Sequence, residues 1–142
     1  MSVAVRMLRA GDDTVLANVA SDVFDDPIDA AATAAFLEDP RHHIAVAVDD
    51  GTVVGFVSAV HYVHPDKTTP EMWINEVAVA STHRQRGIAG DLLNAVLAAA
   101  RELGCSEAWV LTDRSNDAGM ALYESTGGRA HPGNTVMFEY RL

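Results

Sequence analysis

A single cysteine, Cys105, stands among 142 residues. No disulfide can close within the chain, a cysteine usage that fits a reducing cytoplasm. Cys105 follows a helix stop and precedes a strand, the setting of a structural thiol rather than a nucleophile. Basic residues are scarce: 10 Lys and Arg face 20 Asp and Glu, for a net charge of -10. That disfavours nucleic acid as a partner, because binding phosphate backbones needs a basic face. No apolar run approaches the length needed to cross a bilayer, and residues 1–8 lack a basic segment leading into a long apolar one. Neither a membrane span nor a signal peptide is expected. His61 and His64 lie at a strand end and in a loop without a third ligand, and His42-His43 is no better, so no metal is expected. There is no GxxxxGK[ST] and no G-x-G-x-x-G after the first strand, which removes a P-loop and a dinucleotide site.

About half the residues are apolar, and this length suits one domain over residues 1–142 with a real core. Val3 to Arg9 alternates and predicts a strand. Asp12 or Asp13 starts a helix towards Val23, and Ala30 to Leu37 is a second helix that stops before Pro40. His43 to Val48 and Val53 to Tyr62 are strands joined by Asp49-Asp50-Gly51, whose Asp-Gly step signals a hairpin. Met72 to Val79 is a strand. Gly87 to Leu103 is an amphipathic helix with Ile88, Leu92, Leu93, Val96, Leu97, Ala100 and Leu103 at helical spacing, stopped by Gly104. Ala108 to Leu111 is a short strand, Asp117 to Ser125 a helix, and Val136 to Arg141 a last strand. The order β-α-α-β-β-β-α-β-α-β predicts a mixed α/β or α+β fold.

The chemistry concentrates where Met72–Val79 meets the long helix. A helix N-terminus offers unpaired N–H groups and a positive dipole end, together an anion site. Gly87, Ala89 and Gly90 keep that turn small, and Arg84 and Arg86 add positive charge to a chain short of it. An ordinary strand-to-helix turn with solvated arginines would have the same composition; its place between a strand end and a long amphipathic helix favours anion binding.

Arg84-Gln85-Arg86-Gly87-Ile88-Ala89 resembles the R/Q-x-x-G-x-G/A signature of the GNAT superfamily of N-acetyltransferases. Asn116-Asp117-Ala118-Gly119-Met120-Ala121-Leu122-Tyr123-Glu124 resembles its N-x-x-A-x-x-L-Y-E helix, with Gly119 in place of alanine. Gly127-Gly128 departs from the usual Gly-Phe. The resemblance implies a mostly antiparallel central sheet flanked by helices. It also implies that the backbone of the Arg84–Ala89 loop holds the pyrophosphate of acetyl-CoA. Val77 and Val79 would then pair with the pantetheine arm and Asn116 would reach it, although Asn is also a common helix N-cap.

Acetyl transfer to an amine needs a base for the ammonium, a donor for the oxyanion and an acid for the thiolate. Glu76 is placed for the first task, directly or through water; its alternative is a strand-edge acid facing solvent. By resemblance, the Val77 N–H is the oxyanion donor and Tyr123 the acid, with a core aromatic as the other reading of Tyr123.

For the acceptor, Ile74-Asn75-Glu76-Val77-Ala78-Val79 is similar to the I-Y-D-L-A-V of aminoglycoside 3-N-acetyltransferases of the AAC(3)-I type. Val110-Leu111-Thr112-Asp113 and Val136-Met137-Phe138-Glu139 are similar to further stretches of that subgroup. A polycationic amine calls for several carboxylates, and Asp113, Glu139, Asp25 and Asp26 are the candidates, with surface solvation as the plain alternative for the last two. Another amine (a polyamine, small metabolite or protein N-terminus) and a non-catalytic acyl-CoA-binding module are the competing functions. Analogy with the superfamily suggests a homodimer.

Overall fold

The computed structural model describes residues 2–142; Met1, part of the N-terminal stretch scanned for a signal peptide, lies outside them. Five strands form one sheet in the order β1 (Ala4–Met7), β2 (His42–Asp49), β3 (Thr52–Tyr62), β4 (Glu71–Val79) and β5 (Glu107–Val110). β1 to β4 run antiparallel and only β5 is parallel to its neighbour. The expected mixed fold with a mostly antiparallel sheet is therefore the observed one. β2 and β3 meet through Asp50 (φ 48°) and Gly51 (φ 77°), two left-handed residues in succession, as the Asp-Gly step predicts.

Helix α2 (Ile88–Glu102) covers one face of the sheet, burying Ile88, Leu92, Leu93, Val96 and Ala100. These recur at helical spacing, and each large one contributes about 1.5–3 kcal/mol of burial. Leu103, expected on the same stripe, lies past the helix end and is exposed. Helix α1 (Ala30–Glu38) packs on the opposite face, with Phe36 against His42. The Asp29 carboxylate caps α1 by accepting from the Ala32 N–H at 2.7 Å. Helix α3 (Asp117–Ser125) has the predicted bounds and packs against α2.

Two expectations are corrected. The helix from Asp13 towards Val23 is only a 3-10 turn, Asp13–Ala17. The backbone beyond it is claimed by β3: Asn18 O accepts from Val53 N, and Ala20 N donates to Val53 O. A helix there would forfeit both bonds. The last strand, Val136 to Arg141, is absent: these residues run without strand pairing, and Phe138 is 79% exposed. Alternation reports which side chains a strand would bury, not whether a sheet edge accepts it. No helix among the described residues is long and apolar enough to cross a membrane.

Where β2 begins and β3 ends, His43 Nε2 and His61 Nδ1 share a hydrogen bond of 2.7 Å. Burial, with the nearby His61 and His42 adding to it, pushes the His43 imidazole down from 6.5 to about 4. The unfolded chain thus takes up a proton that the folded one refuses between those values. Stability is fully present above about 6.5 and is lost as the pH falls towards about 4. Because His43 is only half-buried, the loss is expected to be about 1–2 kcal/mol. His43→Gln should flatten this slope, read as urea midpoints at neutral pH and at about pH 4.5. An unchanged slope would assign the acid sensitivity to other groups.

Candidate active site

The apolar rhythm of β4 skips a beat. Met72 and Ile74 face α2 at a spacing of two, but the next members of that face are Val77 and Val79. Register accounts for it: Ala59 pairs with Ile74 and Ser58 with Glu76, leaving Asn75 unpaired as a β-bulge. Strict alternation would put Glu76 on the α2 face beside Ile74. The extra residue turns it to the other face, opposite Ser58.

There Glu76 lines a cleft of about 420 Å³ together with Ser58, Phe56, Phe36, Asp25 and Asp26. Its floor is Phe56, which stacks on Phe24 with ring centroids 4.0 Å apart. Three of the anticipated acids, Glu76, Asp25 and Asp26, are thus brought together. Asp25 and Asp26 also line an adjoining cavity of about 640 Å³ under the 3-10 turn. Asp113 and Glu139 do not line this cleft. Asp113 precedes the α3 cap and Glu139 lies on the unpaired C-terminal stretch.

The sheet also opens at this point. β5 pairs with β4 only as far as Ile74–Val110, so from Asn75 to Val79 the edge of β4 has no strand beside it among the described residues. An extended chain has room to bond there. The loop after β4 is held from several sides. Ala80 N donates to Val54 O at 2.7 Å. Ser81 N donates to the Asp22 carboxylate at 2.9 Å, and this bond holds the Asp22 carboxyl below its usual range. His83 bonds Asp49 through Nε2 at 2.6 Å and Thr82 Oγ1 through Nδ1 at 2.7 Å.

Arg84 and Arg86 donate back to Val79 O and Thr82 O, both at 3.2 Å, which keeps the two cations over the loop. Gln85 (φ 61°) and Gly87 (φ 79°) are left-handed, and Gly87 caps α2 without a side-chain bond. The first N–H groups of α2 therefore have no partner within the helix. A Cβ at Gly87 or Gly90 would meet nothing within 4 Å. Glycine at 87 answers to backbone conformation rather than to crowding, and the mouth of the turn is open. Ile88 points into the core, while Ala89 and Gly90 carry the open N–H groups.

Tyr123 leans from α3 onto the core, and burial pushes its phenol up. It stays protonated at neutral pH, the form an acid needs. Asn116 is engaged as the α3 cap: Oδ1 accepts from Gly119 N and Nδ2 donates to Thr112 Oγ1, each at 3.1 Å. Gly119 makes this possible, since a Cβ there would stand 2.5 Å from Asn116 Nδ2. Likewise a Cβ at Gly128 would lie 2.8 Å from Tyr123 O, which accepts from the Gly128 N–H. Both departures from the usual motif thus serve the local backbone.

Reasoning from the sequence missed Asn75, Ser58, Asp22 and the three phenylalanines of the cleft. The skipped beat in Met72, Ile74, Val77 and Val79 was the available signal for Asn75; the others depend on which strands become neighbours. Among the described residues no group of three or more His, Cys, Asp or Glu is placed to hold a metal ion.

The model of the Acetyltransferase (GNAT) family matches residues 14–127. N-acetyltransferase 8 of Rattus norvegicus is 31% identical over 95 residues, 67% of this chain and 43% of the relative. The chain thus spans less than half the length of that curated relative. Among solved structures, aminoglycoside acetyltransferase meta-AAC0020 from an uncultured soil metagenomic sample superimposes with a TM-score of 0.83 at 21% identity. The match covers 99% of this chain and 96% of that one. That enzyme was crystallised with trehalose and, in a second structure matching at a TM-score of 0.81, with sisomicin. Aminoglycoside N-acetyltransferase AAC(6')-Iy in complex with CoA matches with a TM-score of 0.76 at 20% identity, covering 99% and 96% of the two chains. At these identities the likeness is one of fold.

Proposed function

The chain belongs to the GNAT acetyltransferase family, and from that premise we propose that it transfers an acetyl group from acetyl-CoA to an amine of an aminoglycoside. The observation that carries this reading is the bulge at Asn75. It aims Glu76 into an acidic cleft at the point where the β4 edge opens beside the uncapped start of α2. We assign the whole reaction to one domain, residues 1–142.

The donor side fits the group it would hold. The open N–H groups around Gly87, Ile88, Ala89 and Gly90 suit a pyrophosphate, with Arg84, Gln85 and Arg86 forming the loop that presents them. The Val77 and Val79 backbone suits an extended arm. Asn116 contributes by fixing α3, since its side-chain atoms are already engaged. Acetyl-CoA supplies an activated acetyl thioester. Glu76 takes the proton that the acceptor ammonium must lose, directly or through one water. The Val77 N–H faces the oxygen that gains charge, and Tyr123 gives its proton to the departing sulfur. The C–N bond forms and the C–S bond breaks; the second proton of the attacking nitrogen restores the Tyr123 phenol, and the first leaves on Glu76 to be released to solvent.

On the acceptor side, Glu76, Asp25 and Asp26 suit a polycation in a chain of net charge -10. Asp113 and Glu139 are assigned to outer amines of the same acceptor, beyond the cleft. The likeness of Ile74–Val79 to AAC(3)-I enzymes supports the 3-amino group of a 2-deoxystreptamine ring as the position modified. A thiol-release assay with acetyl-CoA against sisomicin, spermidine and an N-terminal peptide tests the assignment, with the product position read by NMR. Release is expected with sisomicin. Activity confined to peptides would overturn the acceptor, acetylation elsewhere on the drug would overturn the position, and no release with any amine would favour a binding module.

A further inference from the structure

Residues paired across neighbouring strands share a face, as do residues two apart in one strand. Glu76 pairs with Ser58; two residues on, Val60 pairs with Trp73, which in turn pairs with Trp109 on β5. Both indoles therefore lie on the Glu76 face of the sheet. They stack with centroids 5.2 Å apart and planes 8° from parallel. The Trp109 Nε1–H donates to the Tyr62 hydroxyl at 2.6 Å, which fixes the orientation of the pair.

Neither indole belongs to the core or to the side chains packed on it, and Trp73 is 38% exposed. Leaving the largest apolar side chain partly uncovered forgoes burial energy, and a fixed, partly exposed aromatic pair is the composition of a binding surface. Glu71 stands on the same face two residues from Trp73, its carboxylate joined to His64 Nε2 at 2.8 Å. Further along the same face comes Glu76, which shares its cleft with Asp25 and Asp26, so carboxylates lie on both sides of Trp73 along β4. This chemistry complements a ring that carries ammonium groups: the indoles take the ring and attract its charge, and the acids take its donors.

We propose that the Trp73–Trp109 stack is a shelf that seats one ring of a multi-ring cationic acceptor while Glu76 acts on an amine of another ring. The inference rests on the acetyl-transfer reading above. Because the bulged Asn75 adds no register step, Trp73 lies two strand steps from Glu76, about 7 Å along β4. A linear polyamine spans that distance but has no ring to lay on the indoles; linked amino-sugar rings do both. Trp73 is thereby a specificity-determining residue.

These are the only two tryptophans in the chain, so intrinsic indole fluorescence reports on the shelf alone. Titration with sisomicin should give a saturable change that spermidine gives only weakly. Trp73→Leu keeps apolar bulk without a π face and should raise the sisomicin KM about tenfold, with the acetyl-CoA KM held within about twofold. Trp73→Phe should recover most of the loss. A sisomicin KM that moves less than about twofold in Trp73→Leu, or equal losses in the Leu and Phe variants, would overturn the shelf. If the wild type turned over no amine, the transfer reading would fall, yet a saturable fluorescence change with sisomicin lost in Trp73→Leu would still support the shelf. No saturable change in the wild type would overturn it. So would an emission shift without amine that tracks dimer formation, because a second copy would then cover the indoles.

Discussion

Glu76→Gln is expected to lower kcat for an aminoglycoside acceptor by about 100-fold or more near neutral pH, with acetyl-CoA KM nearly unchanged. The change preserves size and hydrogen-bonding reach and removes the carboxylate's charge together with its ability to take a proton, two losses that the pH profile separates. An aliphatic amine is almost wholly protonated at neutral pH, so without a base the nucleophile is scarce. The remaining rate should therefore climb as the pH approaches the pKa of the acceptor amine, where the substrate deprotonates unaided. The wild type should show a much shallower rise over the same range. A parallel fall in both profiles, without recovery in base, would identify Glu76 as a binding carboxylate. Unchanged turnover near neutrality would remove it from the chemistry. The prediction also bears on Asn75, because only the bulge brings Glu76 to the cleft face.

How far the sequence reached can be followed along β4. Its strand character, its bounds within a residue, and the turn and helix after it were all legible, because local propensity and burial periodicity agree there. The broken period between Ile74 and Val77 was written in the residues as well, yet alternation alone does not say whether the beat is lost by a bulge or by a strand end. Asp25 and Asp26 were candidates through the family resemblance, which puts the acceptor side at the early helical region. That they share a cleft with Glu76 follows from α1 lying across the sheet face, a tertiary fact.

The two failures have one cause. The helix beyond Ala17 and the strand beyond Val136 were read from composition and alternation. Which backbone groups accept or refuse a partner was decided elsewhere, at the start of β3 for the first and at the sheet edge for the second. Asp113 and Glu139 inherited that uncertainty, being acids on segments whose placement periodicity does not control.

Phe56→Ala is expected to cost about 3–5 kcal/mol of stability, a large share of the 5–15 kcal/mol typical of a domain. Phe56 is 1% exposed at the centre of β3 and is among the largest fully buried side chains. Its removal leaves a void between the sheet and the segment carrying Phe24, and β-sheet neighbours on both sides prevent collapse into it. The midpoint of thermal unfolding should fall by about 10–20 °C. The loss is also aimed at function, because Phe56 stacks on Phe24 at 4.0 Å and both line the cleft that holds Glu76, Asp25 and Asp26. Phe24→Ala, on the less buried partner, should cost less, and the double variant should fall short of the sum by about 0.5–1.5 kcal/mol, the worth of the ring pair itself. At a temperature where Phe24→Ala stays folded, its acceptor KM should rise while acetyl-CoA KM holds, since Phe24 lines the cleft and it is Phe56, through its pairing with Ala78, that borders the donor edge of β4. Additive stability losses would mean that the rings meet without coupling. An acetyl-CoA KM that rose in step would mean that the cleft and the donor edge yield as one unit.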